Sequence, residues 1–328
     1  MFRKGMVAVG AVLGACVAVT PVSVEAQAKT EVHRIGMLWA GTKAENNSRR
    51  AAVLERLHEL GWDEGRTITL VERWADGHYE RLPALASELV SLKVELIMAQ
   101  NGTPSALAAM GATKDVPIVA PSMSDPVANR LVASLAHPGG NVTGSTIMAS
   151  ELYPKRIALL KQVLPEVTRV ALLMNNGNPF SAEAERLSQA AGRSLKLDIE
   201  VFDVRYPEDF EKAFEKMANA RAQAVVVGTD ILFQARVSQL GVLALKYRLP
   251  LVAGYHAPGV LIAYNVDNVE LYRRAASYVD KILKGAKAAD LPIEQPTNIK
   301  LFVDLKTAKA LGVTIPQPVM LRADEVIQ

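Results

Sequence analysis

Short apolar runs alternate with longer segments of helical periodicity along most of the chain. The runs predicted as strands are, in the first half, Arg34–Trp39, Thr67–Arg73, Val94–Ala99 and Pro117–Pro121 and, in the second, Arg169–Met174, Asp198–Val204, Ala222–Gly228 and Pro250–Ala253. The segments predicted as helices are approximately Ser48–Leu60, Tyr79–Leu92, Thr103–Thr113, Ser181–Ser194, Pro207–Ala220 and Phe233–Tyr247. Runs rich in Val, Ile and Leu, each followed by a helix, are typical of buried parallel strands in right-handed βαβ units.

The two halves of the chain place their strands at nearly the same spacing. No residue-level repeat accompanies this spacing, and a solenoid would need a much shorter period. We therefore predict an α/β protein with two doubly wound parallel-sheet lobes.

The last third of the chain predicts several crossings between these lobes. A strand over Val260–Tyr264 and a helix over Asn268–Leu283 precede an extended linker, and a strand over Ile299–Val303 and a helix over Leu305–Leu311 follow it. We expect crossings near Gly144-Ser145, near Tyr264-Asn265 and within Pro292–Pro296, which together form a multi-strand hinge. The predicted division is residues 29–144 and 265–291 for the first lobe, and 145–264 and 292–328 for the second.

Residues 1–28 have the order of a secretory signal peptide. The positively charged MFRK precedes the apolar run GMVAVGAVLGACVAV, and cleavage after Ala26 or Ala28 fits the small-residue rule. The alternative is that Leu13-Gly14-Ala15-Cys16 is a lipobox and that Cys16 carries a lipid anchor. A retained membrane anchor is the other alternative, but the apolar run is shorter than the ~20 residues of a spanning helix and Pro21 follows it. We therefore predict a periplasmic mature chain that does not span the membrane.

Composition excludes several classes of function. The formal net charge is only +3, and no run of Lys and Arg interleaves with aromatic residues, so we expect no nucleic-acid partner. Cys16 is the only cysteine, so the mature chain has no disulfide or thiol chemistry. We expect a monomer without a cofactor.

Nothing in the sequence predicts a catalytic or metal site. The five histidines do not form an HExxH motif, and no Gly-x-Ser-x-Gly elbow occurs. A transcription regulator of similar architecture would carry a helix-turn-helix where the signal peptide stands. A secreted hydrolase or isomerase stays as a minor alternative.

The stretch Asn101-Gly102-Thr103-Pro104-Ser105 is the first candidate binding site. It joins a buried strand to a helix, and ligands of open α/β sheets bind outside the carboxyl ends of the strands. We predict Thr103 as the N-cap and Pro104 as the first helical residue. The free backbone donors and partial positive charge of such a helix start suit a carboxylate. The alternative is a cap that serves only its own helix.

Other strand ends supply further ligand candidates, each with a structural alternative. Trp39 either faces the cleft or packs against the lobe, and Thr143 either contacts the ligand or serves the hinge. Ser124 and Asp125 follow the fourth strand, where Asp125 either caps a helix from Pro126 or accepts from a ligand ammonium group. The second-lobe candidates are Asn175, Asn178 (as the cap of a helix from Pro179), Asp230 (as a second ammonium partner), and Tyr255 and Tyr264 (as ring-stacking or hinge residues).

Several longer stretches together carry a family resemblance. They are GWDEGRTITLVERWADGHYERLPALASELV, NGTPSALAA, PIVAPSMSDPVANRLVASLAHPGGNVTG, LYRRAASYVDKILKGAKAADLPIEQPT and LKTAKALGVTIPQPVMLRADEVI. In combination they resemble ABC-transporter substrate-binding proteins of the type I periplasmic-binding group that includes tryptophan- and tyrosine-binding members. The resemblance implies two lobes that close over a small ligand and deliver it to an ABC permease and its ATPase. A ligand sensor for a membrane receptor is the main alternative.

Two stretches depart from the pattern of that family. Asp230-Ile231-Leu232-Phe233 stands where related chains commonly carry Asp-Pro followed by aromatic residues, and the loop Gly254–Gly259 is also unusual. Both flank the predicted pocket. The ligand therefore stays open between an amino acid, a purine-like base and a small aromatic acid.

Overall fold

Two β-sheets carry the fold in the computed structural model, which describes residues 1–2 and 32–328. The predicted signal peptide, both cleavage positions and Cys16 lie outside the described residues. Within the described part of the chain, no helix combines the length and apolar character needed to cross a bilayer.

The first sheet has five parallel strands in the order β2-β1-β3-β4-β5. Its strands are β1 (His33–Trp39), β2 (Ile68–Trp74), β3 (Leu96–Gln100), β4 (Ile118–Met123) and β5 (Val142–Thr146). The helices that follow its first three strands are α1 (Asn47–Glu59), α2 (Leu82–Ser91) and α3 (Thr103–Ala112). Alternate residues of β1 enter opposite cores, with Leu38 on the α2–α3 side and Met37 and Trp39 on the α1 side. This sheet is buried on both faces, as a doubly wound lobe requires.

The second sheet has seven strands in the order β12-β11-β10-β9-β8-β6-β7. They are β6 (Arg169–Met174), β7 (Asp198–Asp203), β8 (Ala224–Val227), β9 (Leu251–Ala253), β10 (Ile262–Val266), β11 (Ile299–Asp304) and β12 (Glu325–Ile327). The helices around it are α4 (Ala149–Val163), α5 (Ser181–Ser194), α6 (Phe210–Asn219), α7 (Ile231–Ala235), α8 (Val237–Lys246), α10 (Leu305–Leu311) and α11 (Gln317–Met320). β11 is antiparallel to β10, a reversal that the apolar pattern does not encode.

The predicted architecture of two parallel-sheet α/β lobes is confirmed, but several elements differ from the sequence prediction. The helix expected over Phe233–Tyr247 is two helices, because Arg236 leaves helical geometry with φ −118° and ψ 19°. Tyr79–Arg81 and Pro207–Asp209 form 3-10 turns before their α-helices begin. α4 was not predicted.

Three segments pass between the sheets and lie side by side. The first connects β5 to α4, and the second connects β10 to α9 (Asn268–Leu283), which packs beside α1 on the first sheet. The third returns through Glu294, whose backbone exchanges hydrogen bonds of 2.9 Å with Gly144 and Thr146. Asp267 N donates to Asn298 O at 3.4 Å, which joins the second segment to the third.

Candidate ligand-binding site

A cavity lies between the lobes, where the carboxyl ends of strands from both sheets meet. Seven residues proposed from the sequence line it: Asn101, Gly102, Thr103, Ser124, Asn178, Asp230 and Tyr255. Residues that line it without having been proposed include Arg49, Ser122, Thr229, Gln234, Asn268 and Tyr272. The strand-end rule therefore predicted part of the lining, but Ser122 and Thr229 at strand ends were missed. The other four residues come from helices, which the rule does not cover.

The start of α3 forms the first-lobe wall. The N-cap is Gly102, with φ 93° and ψ −158°, and the prediction of Thr103 as the cap is wrong. Only glycine adopts this conformation readily. The helix therefore begins at a backbone turn and not at a side-chain cap. Thr103 is fully buried, and its Oγ1 accepts from Ser124 N at 3.0 Å, which ties α3 to the end of β4. The first-turn amides of α3 have no intrahelical acceptors and lie beside the cavity.

Arg49 brings a positive charge to the same wall. Its side chain is buried, and Nη1 donates to Asn46 Oδ1 at 2.8 Å and to Glu45 O at 3.4 Å. The guanidinium lies 5.5 Å from the ring centroid of Tyr272. Among the described residues, no carboxylate forms an ion pair with it. A cation in the first turn of α1 also opposes the helix dipole, so Arg49 is not placed there to stabilise its own helix.

Asp230 is the acidic residue of the cavity. It caps α7 by accepting from Leu232 N at 2.9 Å, and it accepts from Asn178 Nδ2 at 2.9 Å and Asn175 Nδ2 at 3.2 Å. The fourth donor, Tyr79 Oη at 2.9 Å, comes from the first lobe. Burial raises the pKa of this carboxyl above its ordinary value, although the surrounding hydrogen bonds oppose that rise.

Asn175 and Asn178 organise this carboxyl and do not start a helix. α5 begins at Ser181, and Asn178 Oδ1 accepts from Phe180 N at 3.0 Å within the preceding turn. The prediction of Asn178 as a helix cap is therefore wrong. Asn178 lines the cavity, whereas Asn175 lies behind Asp230 and outside it.

Tyr255 and Thr229 line the cavity on the second lobe, and Arg156 lies behind Thr229. Tyr255 Oη accepts from Asn268 Nδ2 at 2.6 Å, and burial raises the pKa of its hydroxyl. Arg156, on α4, is fully buried one layer behind Thr229, whose Oγ1 accepts from Arg156 Nη1 at 2.8 Å. Burial lowers the pKa of this guanidinium.

The remaining proposed residues lie outside the cavity, and two take the structural alternative. Trp39 is fully buried and stacks on Trp74 with ring centroids 4.7 Å apart, so its ring packs within the lobe. Thr143 Oγ1 donates to Leu291 O at 2.7 Å, near the crossing segments. Ser105 is fully buried in the first turn of α3.

Asp125 and Tyr264 also lie away from the cavity. No helix begins at Pro126, so the helix prediction is wrong, and Asp125 Oδ1 accepts from Ala128 N at 3.2 Å within a turn. Tyr264 lies on β10 against the core of the second lobe, and its carbonyl oxygen accepts from Arg156 Nε at 2.9 Å. Within residues 32–328, no group of three or more His, Asp or Glu side chains is arranged to hold a metal ion.

Comparison with known proteins identifies the family. Residues 44–327 match the family model described as "ABC transporter substrate binding protein". The chain is 26% identical over 262 residues to the tyrosine-binding protein of Clostridioides difficile. The aligned region covers 79% of this chain and 74% of that protein.

Two solved structures share the fold. A conserved domain protein from Vibrio cholerae has a TM-score of 0.82 at 22% identity, covering 90% of this chain and all of that one. The ABC domain from Streptococcus pneumoniae in complex with L-Trp has a TM-score of 0.81 at 23% identity, with the same coverage. The match over residues 44–327 shows that this chain belongs to the ABC transporter substrate binding protein family.

Proposed function

We propose that this chain is the periplasmic solute-binding component of an ABC import system, and that it captures a small carboxylate-bearing ligand between its lobes. The single observation that carries the ligand class is Arg49, a buried guanidinium that lines the cavity without a carboxylate partner among the described residues. A ligand carboxylate would supply that partner through a charge-assisted, bidentate hydrogen bond. One relative is a tyrosine-binding protein and another is in complex with L-Trp, and both ligands carry a carboxylate. This supports a carboxylate-bearing ligand here.

The proposed mechanism is a hinged clamp. Arg49 and the start of α3 receive the ligand from the first lobe, and Asn178, Thr229 and Tyr255 receive it from the second. A ligand that contacts both lobes stabilises the closed form in proportion to its preference for that form. The closed form then docks on a permease and its ATPase, and no chemical step is needed. A micromolar ligand corresponds to about 8 kcal/mol, which a few charge-assisted hydrogen bonds and one buried ring can supply.

The division of the chain into lobes at residues 144, 264 and 291 belongs to this proposal. The end of β5 at Thr146 and the return of the chain through Glu294 support it. Secretion through residues 1–28, and a monomeric mature chain, complete the proposal.

The test is calorimetric titration of residues 29–328 with amino acids, aromatic acids, nucleobases and sugars, on wild type and on Arg49→Gln. We expect the bound carboxylate to lose at least about 10-fold in affinity in Arg49→Gln, because a hydrogen bond to a charged partner is worth about 1.5–3 kcal/mol. Arg50→Gln is the matched control, since Arg50 is the next residue of α1 and pairs with Glu72 at 2.7 Å, away from the cavity. Equal affinities in both variants, or binding only of uncharged solutes, would contradict the proposal.

A further inference from the structure

The buried charges around the cavity are unequal in sign. Arg49 and Arg156 are positive and Asp230 is negative, and all three side chains are buried. The remaining buried acid of the described chain, Asp304, does not line the cavity; it caps α10 and faces His256 at 3.4 Å. Arg49 and Asp230 line the cavity and Arg156 lies one layer behind it, so two buried cations surround the cavity for one buried anion.

Asp230 has no acceptor position left for a ligand. An ionised carboxylate offers about four lone-pair sites. Leu232 N and Asn175 Nδ2 fill those of Oδ1, and Tyr79 Oη and Asn178 Nδ2 fill those of Oδ2. All these donors belong to the protein. A ligand ammonium group would have to displace one of them to be paired.

Arg156 has donor capacity to spare. Nε donates to Tyr264 O and Nη1 to Thr229 Oγ1, whereas Nη2 is buried and has no partner among the described residues. The Nδ2 and Oδ1 atoms of Asn265 are buried and unpartnered as well. A Cβ at Gly254 would lie 2.7 Å from Arg156 Nη2 and 3.1 Å from Asn265 Nδ2. Both donors therefore lie beside the α-carbon of Gly254, where any larger residue would carry a side chain.

These donors lie next to the cavity that Arg49 lines. Gly254 and Asn265 wall a groove that shares Tyr255 and Asn268 with the cavity. A buried cation without a counter-ion is destabilising, and a nearby anion removes that penalty. The positive charges of Arg49 and Arg156 favour binding of a negatively charged ligand. The negative charge of Asp230 disfavours it, and Asp230 has no free acceptor position for a ligand ammonium group.

We infer that the ligand is a small organic acid of net negative charge and not a zwitterionic amino acid. In this arrangement Arg49 receives the carboxylate, Arg156 adds positive potential from behind Thr229, and Asp230 serves as a contact between the lobes. The inference rests on the proposed function, since it names the ligand class of the same cavity.

The test is a titration of refolded, ligand-free protein with matched pairs that differ only in the α-amino group. The pairs are phenylalanine and 3-phenylpropionate, tryptophan and indole-3-propionate, and leucine and 4-methylpentanoate. We expect the acid of the preferred pair to bind about 10-fold tighter than its amino acid, because the ammonium group would be desolvated without an acceptor. An amino acid that binds tighter than its acid overturns the inference and leaves the proposed function standing. Failure of every pair overturns carboxylate capture itself.

A variant separates the two roles of Asp230. In Asp230→Asn we expect the affinity for the amino acid to stay within about 2-fold of wild type, since the carboxylate does not bind the ammonium group. The acid should bind at least as tightly as before, because an opposing negative charge is removed. Asp125→Asn, outside the cavity, is the control. A loss of about 10-fold that is confined to the amino acid would assign the ammonium to Asp230 and overturn the inference.

Discussion

Asp230 shows how burial and hydrogen bonding act in opposite directions on one carboxyl group. Removal from water raises its pKa, and the donors Asn178, Leu232, Asn175 and Tyr79 lower it. Burial prevails, so the pKa of the folded state lies above the ordinary value of 3.8. The charged form is therefore held at an energetic disadvantage in the folded chain.

This shift predicts a pH dependence of stability. The folded state binds the proton of Asp230 more tightly than the unfolded state does, so its stabilising contribution is fully present below pH 3.8 and is lost as the pH rises through the folded pKa. We expect the free energy of unfolding of wild type, relative to Asp230→Asn, to fall across that window. Urea unfolding of both proteins at a series of pH values measures it. A difference that does not change with pH, or that grows as the pH rises, would contradict the shift.

At the scale of elements, the start of α3 depends on one backbone conformation. Asn101 and Gly102 both have positive φ, 66° and 93°. A Cβ at Gly102 would also lie 3.1 Å from Ser122 O, a backbone atom of β4. The turn that aims α3 at the cavity therefore requires glycine.

We predict that Gly102→Ala lowers the free energy of unfolding by about 1–3 kcal/mol, the usual range for a residue forced into such a region. It should also weaken ligand binding, because the first turn of α3 would shift. Gly111→Ala is the matched control on the same helix, where a Cβ meets nothing within 4 Å. There, alanine should stabilise the helix by about 0.5–1 kcal/mol. Denaturant unfolding and ligand titration measure both variants, and equal effects at the two positions would refute the argument.

The sequence predicted the elements better than the contacts between them. β1 was expected over Arg34–Trp39 and spans His33–Trp39, because a buried strand is encoded locally by its apolar run. Arg49 was not proposed, because its importance depends on what it faces after folding and on its having no carboxylate ion-pair partner among the described residues. The available signal for Arg49 was a cation in the first turn of a helix that follows a strand.

The break between two helices at Arg236 was also unpredicted, since the helical period continues through it without Gly or Pro.

At the scale of the whole molecule, side chains from opposite lobes contact each other beside the cavity. Tyr79 Oη donates to Asp230, and Arg236 Nη1 lies 3.0 Å from Glu45 Oε1. The ion pair is partly exposed and contributes little, whereas the Tyr79 hydrogen bond is part-buried and ends on the buried carboxylate of Asp230. Tyr79 is therefore the stronger of these two links between the lobes.

We predict that Tyr79→Phe shifts the ligand-free protein toward an open form and raises the ligand's dissociation constant about 10-fold. The reason is that the substitution removes a hydrogen bond to a charged group that forms only when the lobes close. Small-angle X-ray scattering should show a larger radius of gyration, which ligand reverses. Tyr206→Phe is the control, a half-exposed tyrosine that shares a groove with Tyr79.

Tyr79→Phe also frees one lone pair of Asp230, which could then accept from a ligand ammonium group. The preference of the protein for an acid over the matching amino acid should therefore narrow. An unchanged radius together with an unchanged preference would mean that Tyr79 holds neither the lobes nor the carboxylate.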